Sequence, residues 1–333
     1  MPDTFPSAMT NLPLEPLPST SVGLRGANVG DRVYRAVLTA LALTLPLLLT
    51  ALVTLLVASA WPSITRFGLR FAWTSVWDPV AGVFGAAPMI WGTLASSFLA
   101  VLLAVPLALG VAIYLTEFAP TWLRQPVAFL VELLAAIPSV VYGLWGVYVL
   151  IPFLRADVVP PLRAALGWTP LFSGVFYGNS LLAGGIILAI MIVPYIAAVS
   201  REVLLAVPPT QREAALAMGA TRWEAVRTAV VPYGRAGLVG AVMLGLGRAL
   251  GETMAVTLVI GNRHDISMSV LQPAYTMAAA IANEFSEATT NLYLAALFEV
   301  GLLLFVITVL VNALARLLIW RVARGTAVGS RAL

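Results

Sequence analysis

Apolar positions along this chain gather into six long runs rather than into faces of alternating or helical period. The runs are Arg35–Ala60, Trp91–Thr116, Pro126–Ile151, Gly178–Val199, Gly237–Ile260 and Leu292–Ile319. Each is long enough to cross about 30 Å of hydrocarbon as a helix. The first four contain Pro46, Pro106, Pro138 and Pro194. Each proline removes a backbone donor and is expected to kink its helix, which a membrane bundle tolerates when neighbours satisfy the freed carbonyl. Between the runs lie Trp61–Ile90, Pro152–Tyr177 and Gly261–Asn291, three long loops on one side. The first holds Phe71, Trp73 and Trp77, a weak strand pattern. The third is expected to contain a short helix within Tyr275–Phe285, ending on Asn283 and Glu284.

One polar segment stands apart. Arg201, Arg212, Arg222, Arg227 and Arg235 alternate with Glu202, Glu213 and Glu224. Thr210 to Glu213 and Thr221 to Glu224 each fit a capping box, in which the threonine and the glutamate cap one another's backbone. Gly219 falls where a first helix needs a left-handed terminal residue. The expectation is two short helices, 211–218 and 222–230, with a sharp bend between them. Pro232 is expected to end the second helix before the next span. Ala214, Ala215 and Ala217 leave one side of the first helix thin, a shape that suits insertion into a groove on a partner. The competing reading is an ordinary amphipathic connector.

Composition agrees with a membrane protein: 60% hydrophobic, 10% charged, mean hydropathy +0.95. There is no cysteine, one histidine (His264), and every basic residue is an arginine. Without lysine the chain cannot form a nucleotide-binding loop of the Gly-x-x-x-x-Gly-Lys type or a Schiff base. Disulfides and thiolate chemistry are excluded, and one histidine does not make a zinc site or a His-based triad. The net charge of +4 does not argue for nucleic acid, because the arginines flank membrane spans.

Placing the N-terminus inside puts Arg25, Arg32, Arg35, Arg124, the five arginines of the 201–235 segment, Arg316, Arg321, Arg324 and Arg331 on the inner side. Arg66, Arg70, Arg155, Arg163 and Arg263 fall outside. That asymmetry predicts both termini in the cytoplasm. Residues 1–34, rich in proline, are expected to be a disordered tail, residues 35–319 a six-span domain, and residues 320–333 a second tail. Trp61, Trp91, Trp122, Trp145 and Trp320 fall near span ends, as an aromatic belt would.

Two charges interrupt the fifth run. Arg248 lies about 16 Å along a helix counted from Gly237, near mid-membrane. Glu252, four residues on, would share its helical face within ion-pair reach. An arginine at that depth costs at least ~2.5–3.5 kcal/mol, so it should face protein or water. Gly245, Gly247 and Gly251 allow close approach of a helix or a solute. One reading is an anion contact tuned by Glu252; the other is a static ion pair that fixes helix packing. Glu132 is expected to pair with Arg124 and Glu117 to be a solvated helix end; Glu299 falls about 10 Å inside the sixth span on the outer side, a candidate for a vestibule, and His264 is expected to be a surface residue.

Glu213-Ala214-Ala215, then Gly219, then Pro232 thirteen residues later resembles the EAA loop of ABC-importer permeases. Three longer strings narrow the resemblance. They are Gly245 to Thr257 (Gly-Leu-Gly-Arg-Ala-Leu-Gly-Glu-Thr-Met-Ala-Val-Thr), Glu132 to Gly146, and Tyr275 to Phe285. Together they are similar to the PstC-type permeases of bacterial phosphate-specific ABC importers, over about residues 71–316. The resemblance implies an all-α polytopic fold of the MetI-like ABC-importer permease class. It implies inorganic phosphate as substrate and no cofactor, metal or catalytic residue. It also implies a homologous PstA-type permease, a cytoplasmic ABC ATPase dimer docked on 201–232, and an external phosphate-binding protein. The family's transport-linked Arg and Glu fall on Arg248 and Glu252; its ATPase-coupling positions fall on Glu213, Ala214, Ala215, Gly219 and Pro232. A permease for another oxyanion, such as molybdate or sulfate, would keep the EAA loop and differ in the Arg/Glu span. A secondary anion transporter would lack the docking loop.

Overall fold

The computed structural model describes residues 29–327; residues 1–28 and 328–333 of the two predicted tails lie outside them, whereas 29–34 and 320–327, also expected in the tails, are helical as the first turns of α1 and the last of α13. Among the described residues there is no β-strand, only the isolated bridges Asp78↔Val83 and Gly261↔Ala274. The weak strand pattern at Phe71 to Trp77 therefore resolves into a turn of 3-10 helix and irregular chain. The reason is packing. Phe71, Trp77 and Phe84 turn into one aromatic cluster with ring centroids 4.9–6.4 Å apart instead of alternating between two faces.

The helices in order are α1 (Val29–Phe67), α2 (Ala87–Ile113), α3 (Thr121–Ala136), α4 (Ser139–Trp145), α5 (Ile151–Phe153), α6 (Val159–Leu166), α7 (Leu181–Leu205), α8 (Pro209–Ala217), α9 (Arg222–Ala225), α10 (Val231–Leu250), α11 (Met254–Ile260), α12 (Met277–Glu284) and α13 (Asn291–Ala327). The chain divides within α1: residues through Thr54 form one compact unit and Leu55 onward the other. Six stretches have membrane-spanning length and hydropathy: Gly30–Ala72, Ala87–Phe118, Ser139–Leu166, Leu181–Leu205, Arg222–Leu250 and Asn291–Leu317. In the second unit α7 is the central post. It packs against α2, α3, α10 and α11. Its Leu188, Ile192 and Ile196 meet Ala100, Ala104 and Ala108 of α2 in the largest apolar cluster. Small residues on α2 let the two helices lie close, so the contact is made by dispersion and shape.

Two expected spans are redrawn. The third does not run unbroken from Pro126 to Ile151. Ile137 is extended (φ −66°, ψ 130°) ahead of Pro138, which disfavours a helical residue before it. α3 stops there, and a new helix runs from Ser139 to Leu166, taking in most of what was expected to be a loop. The fifth does not run to Ile260. It starts at Arg222 and ends at Leu250, with residues 251–253 outside helix before α11.

Pro106 and Pro194 lie inside α2 and α7, which continue through them. Four other prolines or proline pairs follow π-turns: Tyr114–Phe118, Gly146–Leu150, Leu154–Val158 and Val226–Val230 each end two residues before a proline. A proline ring crowds the carbonyl four residues back and leaves it without a donor; a widened turn just upstream relieves both. Pro232 thus ends nothing. It lies in the first turn of α10, and the helix continues through it from Arg222.

Candidate functional site

The polar segment forms one short helix, α8, and a sharp bend into α9, which opens the long helix of the fifth span instead of the expected second short one. α8 has no buried residue, and Glu213 and Ala214 are exposed while Ala215 is half-buried. Gly219 has φ +87°, the left-handed conformation that glycine adopts without a Cβ penalty. The box at Thr221 is complete: Thr221 Oγ1 accepts from Glu224 N at 3.3 Å, and the Thr221 N–H donates to Glu224 Oε2 at 2.7 Å. This hydrogen bonding, with the backbone N–H first, holds the Thr221–Glu224 turn closed. The expected box at Thr210 does not form. Pro208 takes the N-cap position and Thr210 lies within the helix, where its hydroxyl has no free amide to receive.

Beneath this segment lies a contact the sequence hid. Arg212 turns back into the bundle and meets Glu117 at the end of the second span. Its Nε donates to Oε1 and Oε2 at 3.1 and 3.2 Å and its Nη2 to Oε1 at 2.8 Å. The same guanidinium donates to the Val207 and Leu204 carbonyls at 2.7 and 2.8 Å. The side chain of Glu117 is only 12% exposed, so it is not a solvated helix end. Glu132 differs too: it lies 3.9 Å from Arg201, while Arg124 donates to the Ala119 carbonyl instead. Helix geometry carries Arg124 back over the α3 start rather than along it.

The Arg248 site is built at the helix break. Arg248 occupies the last turn of α10 and is half-buried. Because Gly251 ends the helix, Glu252 leaves the helical path, and among the described residues no ion pair joins the two. The carboxylate of Glu252 turns forward instead, its Oε1 3.4 Å from the Ala255 N–H in the first turn of α11. Arg248 rests on an aromatic ring: its Cζ lies 4.2 Å from the centroid of Tyr195 on α7, and its Nε has no hydrogen-bond partner. The three glycines divide their work. A Cβ on Gly245 would come within 2.6 Å of Ile196, so this glycine lets α10 pack on α7; Gly247 faces open space.

Far along the chain from both, Glu284 at the end of α12 gathers three elements. Trp77 Nε1 and Tyr293 Oη donate to Glu284 Oε2 at 2.7 and 2.8 Å. His264 Nε2 lies 3.2 Å from Oε1, within ion-pair distance but off the line of a good hydrogen bond. His264 also stacks on Trp77 (5.8 Å, 9°) and meets Tyr275 edge-on at 4.8 Å. It is a packed residue, not a surface one; its stacking partner Trp77, more than 180 positions upstream, gave no local signal. Burial pushes the Glu284 carboxyl up, but the adjacent His264 imidazole and the hydrogen bonds from Tyr293 and Trp77 outweigh it and hold the group below the usual carboxylate range. Burial likewise raises the Tyr275 hydroxyl. Glu299 is buried within α13 at 7% exposure, with no ion pair among the described residues.

Six membrane-length helices, with an exposed short helix and a bend between the fourth and fifth, define a multi-pass membrane protein. Residues 104–324 match the family described as "Binding-protein-dependent transport system inner membrane component". The chain belongs to that family. It is 49% identical over 282 residues to the "Phosphate transport system permease protein PstC" of Pasteurella multocida, covering 84% of this chain and 88% of the relative. The protein of the same name from Haemophilus influenzae is 48% identical over 293 residues, covering 87% and 93%. In fold the chain resembles the MetNI methionine ABC transporter in inward-facing conformations (TM-score 0.52, 21% identity, 70% of this chain and 94% of that one). It also resembles a bacterial ABC transporter involved in the import of the acidic polysaccharide alginate (TM-score 0.52, 18% identity, 86% and 98%).

Proposed function

We infer that this chain is the membrane-spanning permease subunit of an ABC importer for inorganic phosphate. The observation that carries this is the identity with phosphate permeases, 49% over 282 residues, spread across the spans and not confined to the docking segment. An ABC-importer permease works with an ATPase and a binding protein. Here we assign the finer partners: a homologous PstA-type permease, a dimer of cytoplasmic ATPases and an external phosphate-binding protein. The chain itself breaks no bond; ATP hydrolysis comes from the ATPase subunits.

The coupling segment is assigned to Glu213, Ala214, Ala215, Gly219 and Pro232. The exposed face of α8 supports it, as does the fixed bend at Gly219. Pro232 takes part as an element of the helix that leaves the segment, not as its end. The substrate path is assigned to Arg248 and Glu252. A guanidinium presents a planar fork of N–H donors matched to phosphate oxygens. A half-buried arginine at a helix break has its guanidinium uncommitted to a carboxylate, which supports this reading. Glu252 lowers the local positive charge without occupying the fork, which keeps the anion from being held too long. The arginine asymmetry supports both termini, and the 201–235 segment, on the cytoplasmic side of the bacterial inner membrane. ATPase closure then moves the segment, and the spans rock around the Arg248 region in alternating access.

The test is uptake of radiolabelled phosphate by the importer reconstituted in vesicles with all its subunits. Uptake should require ATP and the binding protein, and excess sulfate or molybdate should not compete. Competition by either oxyanion at equal concentration would assign the pathway to that anion.

A further inference from the structure

Resting on the assignment of Arg248 to the phosphate path, we infer that Tyr195 is its positioning residue. The ring face of Tyr195 is the seat of the guanidinium between transport events, in place of an acidic partner.

The geometry separates the two possible kinds of seat. A guanidinium has two faces and an edge, and all five of its N–H donors lie in the plane of the edge. A carboxylate partner binds that edge and competes directly with an incoming anion. An aromatic ring binds the face and leaves the edge open. Arg248 has a ring and no carboxylate beside it: Cζ lies 4.2 Å from the Tyr195 centroid, the buried Nε has no hydrogen-bond partner, and Glu252 is turned toward α11. The seat is itself anchored. Tyr195 donates its hydroxyl proton to the Ala135 carbonyl at 3.0 Å. Tyr142 of α4 does the same to the neighbouring Leu134 carbonyl at 2.8 Å. Both carbonyls lie in the last turn of α3, where the helix break at Pro138 leaves acceptors short of donors; Leu134 O has besides Tyr142 only a long bond from the Ile137 N–H, at 3.4 Å. The two tyrosines therefore satisfy the end of α3, and one of them turns its face to Arg248. The arginine is oriented by a ring that is fixed at its far end, not by a charge that must be displaced each cycle.

The hydroxyl and the face of Tyr195 are separable by substitution. In the complete reconstituted importer, Tyr195→Phe and Tyr195→Trp keep a ring for Arg248, while Tyr195→Leu removes it. Tyr195→Met, an unbranched chain of similar reach, is run alongside in case Leu lowers assembly. The readouts are phosphate uptake, binding-protein-stimulated ATPase and subunit abundance, with Arg248→Gln as reference. The expected result is uptake reduced about two- to thirtyfold in the Leu and Met variants, the range that loss of a cation–π contact produces. Abundance and ATPase stimulation stay near the parent values, and Phe and Trp restore uptake. Equal impairment of Phe and Leu would assign Tyr195 to its hydroxyl anchor and overturn the proposal. Normal uptake in both the Leu and Met variants, with Arg248→Gln inactive, overturns it while leaving the Arg248 assignment intact. Normal uptake in Arg248→Gln removes that assignment itself, and with it the role of Tyr195.

Discussion

Arg212 and Glu117 stand 95 positions apart in the chain and make a three-bond, two-oxygen contact with a shortest distance of 2.8 Å. The pair joins α8 to the end of the second span, and two further bonds from the same guanidinium take in the end of α7. A fork shared among three elements resists rotation as well as separation, which a single hydrogen bond does not.

This predicts a defect of coupling. Glu117→Ala leaves Arg212 charged and half-buried without its carboxylate. For a fully buried pair, loss of one partner costs about 3–5 kcal/mol, and partial exposure lowers that here. The expected outcome is ATPase activity that persists while phosphate moved per ATP falls. Glu117→Asp, which keeps the charge, should retain more of it. Parent-like uptake per ATP in Glu117→Ala would show that the contact transmits nothing.

The bend at Gly219 makes a conformational prediction free of any steric one. A Cβ at Gly219 meets no atom within 4 Å, so the only obstacle is its φ of +87°. Gly219→Val should lose uptake or ATPase association while the spans still insert. Gly219→Asn, which tolerates the left-handed region, should be milder. Equal behaviour of Val and Asn in ATPase pull-down and uptake would contradict this.

For Arg248 and Glu252 the absence of an ion pair changes the expected double-mutant result. Glu252→Gln strands no partner charge, so subunit abundance should stay close to the parent. Arg248→Gln should stop uptake, and adding Glu252→Gln should not restore it. Arg248→Lys should also be impaired, because a point charge lacks the planar fork. Near-normal uptake in the double variant, with abundance checked, would leave only a packing role.

The Glu284 cluster gives a pH dependence of definite sign. Its carboxyl is held below the ordinary value. The stabilisation is therefore fully present above the unfolded glutamate value of about 4.3 and is lost as pH falls through the lower folded value. Melting of the purified subunit between pH 3 and 7 should show this acid limb. Glu284→Gln should lower stability by about 1–3 kcal/mol at neutral pH and flatten the limb. An unchanged acid limb in that variant would assign it to other groups.

Orientation is testable because the chain has no cysteine. Single cysteines belong at exposed positions: Glu213 on α8 and Met268, which is 64% exposed, in the loop after α11. An impermeant thiol reagent added outside intact cells should label Met268→Cys and spare Glu213→Cys. The reverse pattern would invert the topology.

Features with a local cause were legible. The Thr221–Glu224 box and the Gly219 bend each depend on residues within four positions, and both stand as expected. The helix at 277–284 announced itself by alanine-rich composition between Thr276 and the Asn283–Glu284 end. The break after Leu250 was hidden because composition stays apolar on both sides; only Gly251 marks it, and glycine is common in membrane helices. The break at Pro138 had its marker, but a proline that kinks and one that divides two helices read alike until neighbours are known. The partners of Arg212, Arg248 and His264 were beyond reach for a simpler reason. Glu117, Tyr195 and Trp77 lie more than fifty positions from Arg212, Arg248 and His264 respectively and are brought in by packing.

The uninterrupted helix from Arg222 to Leu250 has a mechanical meaning. Its 29 residues make a rod of about 43 Å, with one end in the exposed segment and the other carrying Arg248. The π-turn at 226–230 widens this rod without severing it, so a tilt imposed at one end arrives at the other as displacement. At residues 251–253 the rod meets a joint. Beyond it α11 is tied elsewhere, through the Ser180 N–H to the Val259 carbonyl at 3.0 Å and the Ala274 N–H to the Ile260 carbonyl at 3.1 Å. A lever that ends at a joint can swing its tip without dragging the structure on the far side. The charged tip can therefore change its surroundings while α11 holds still.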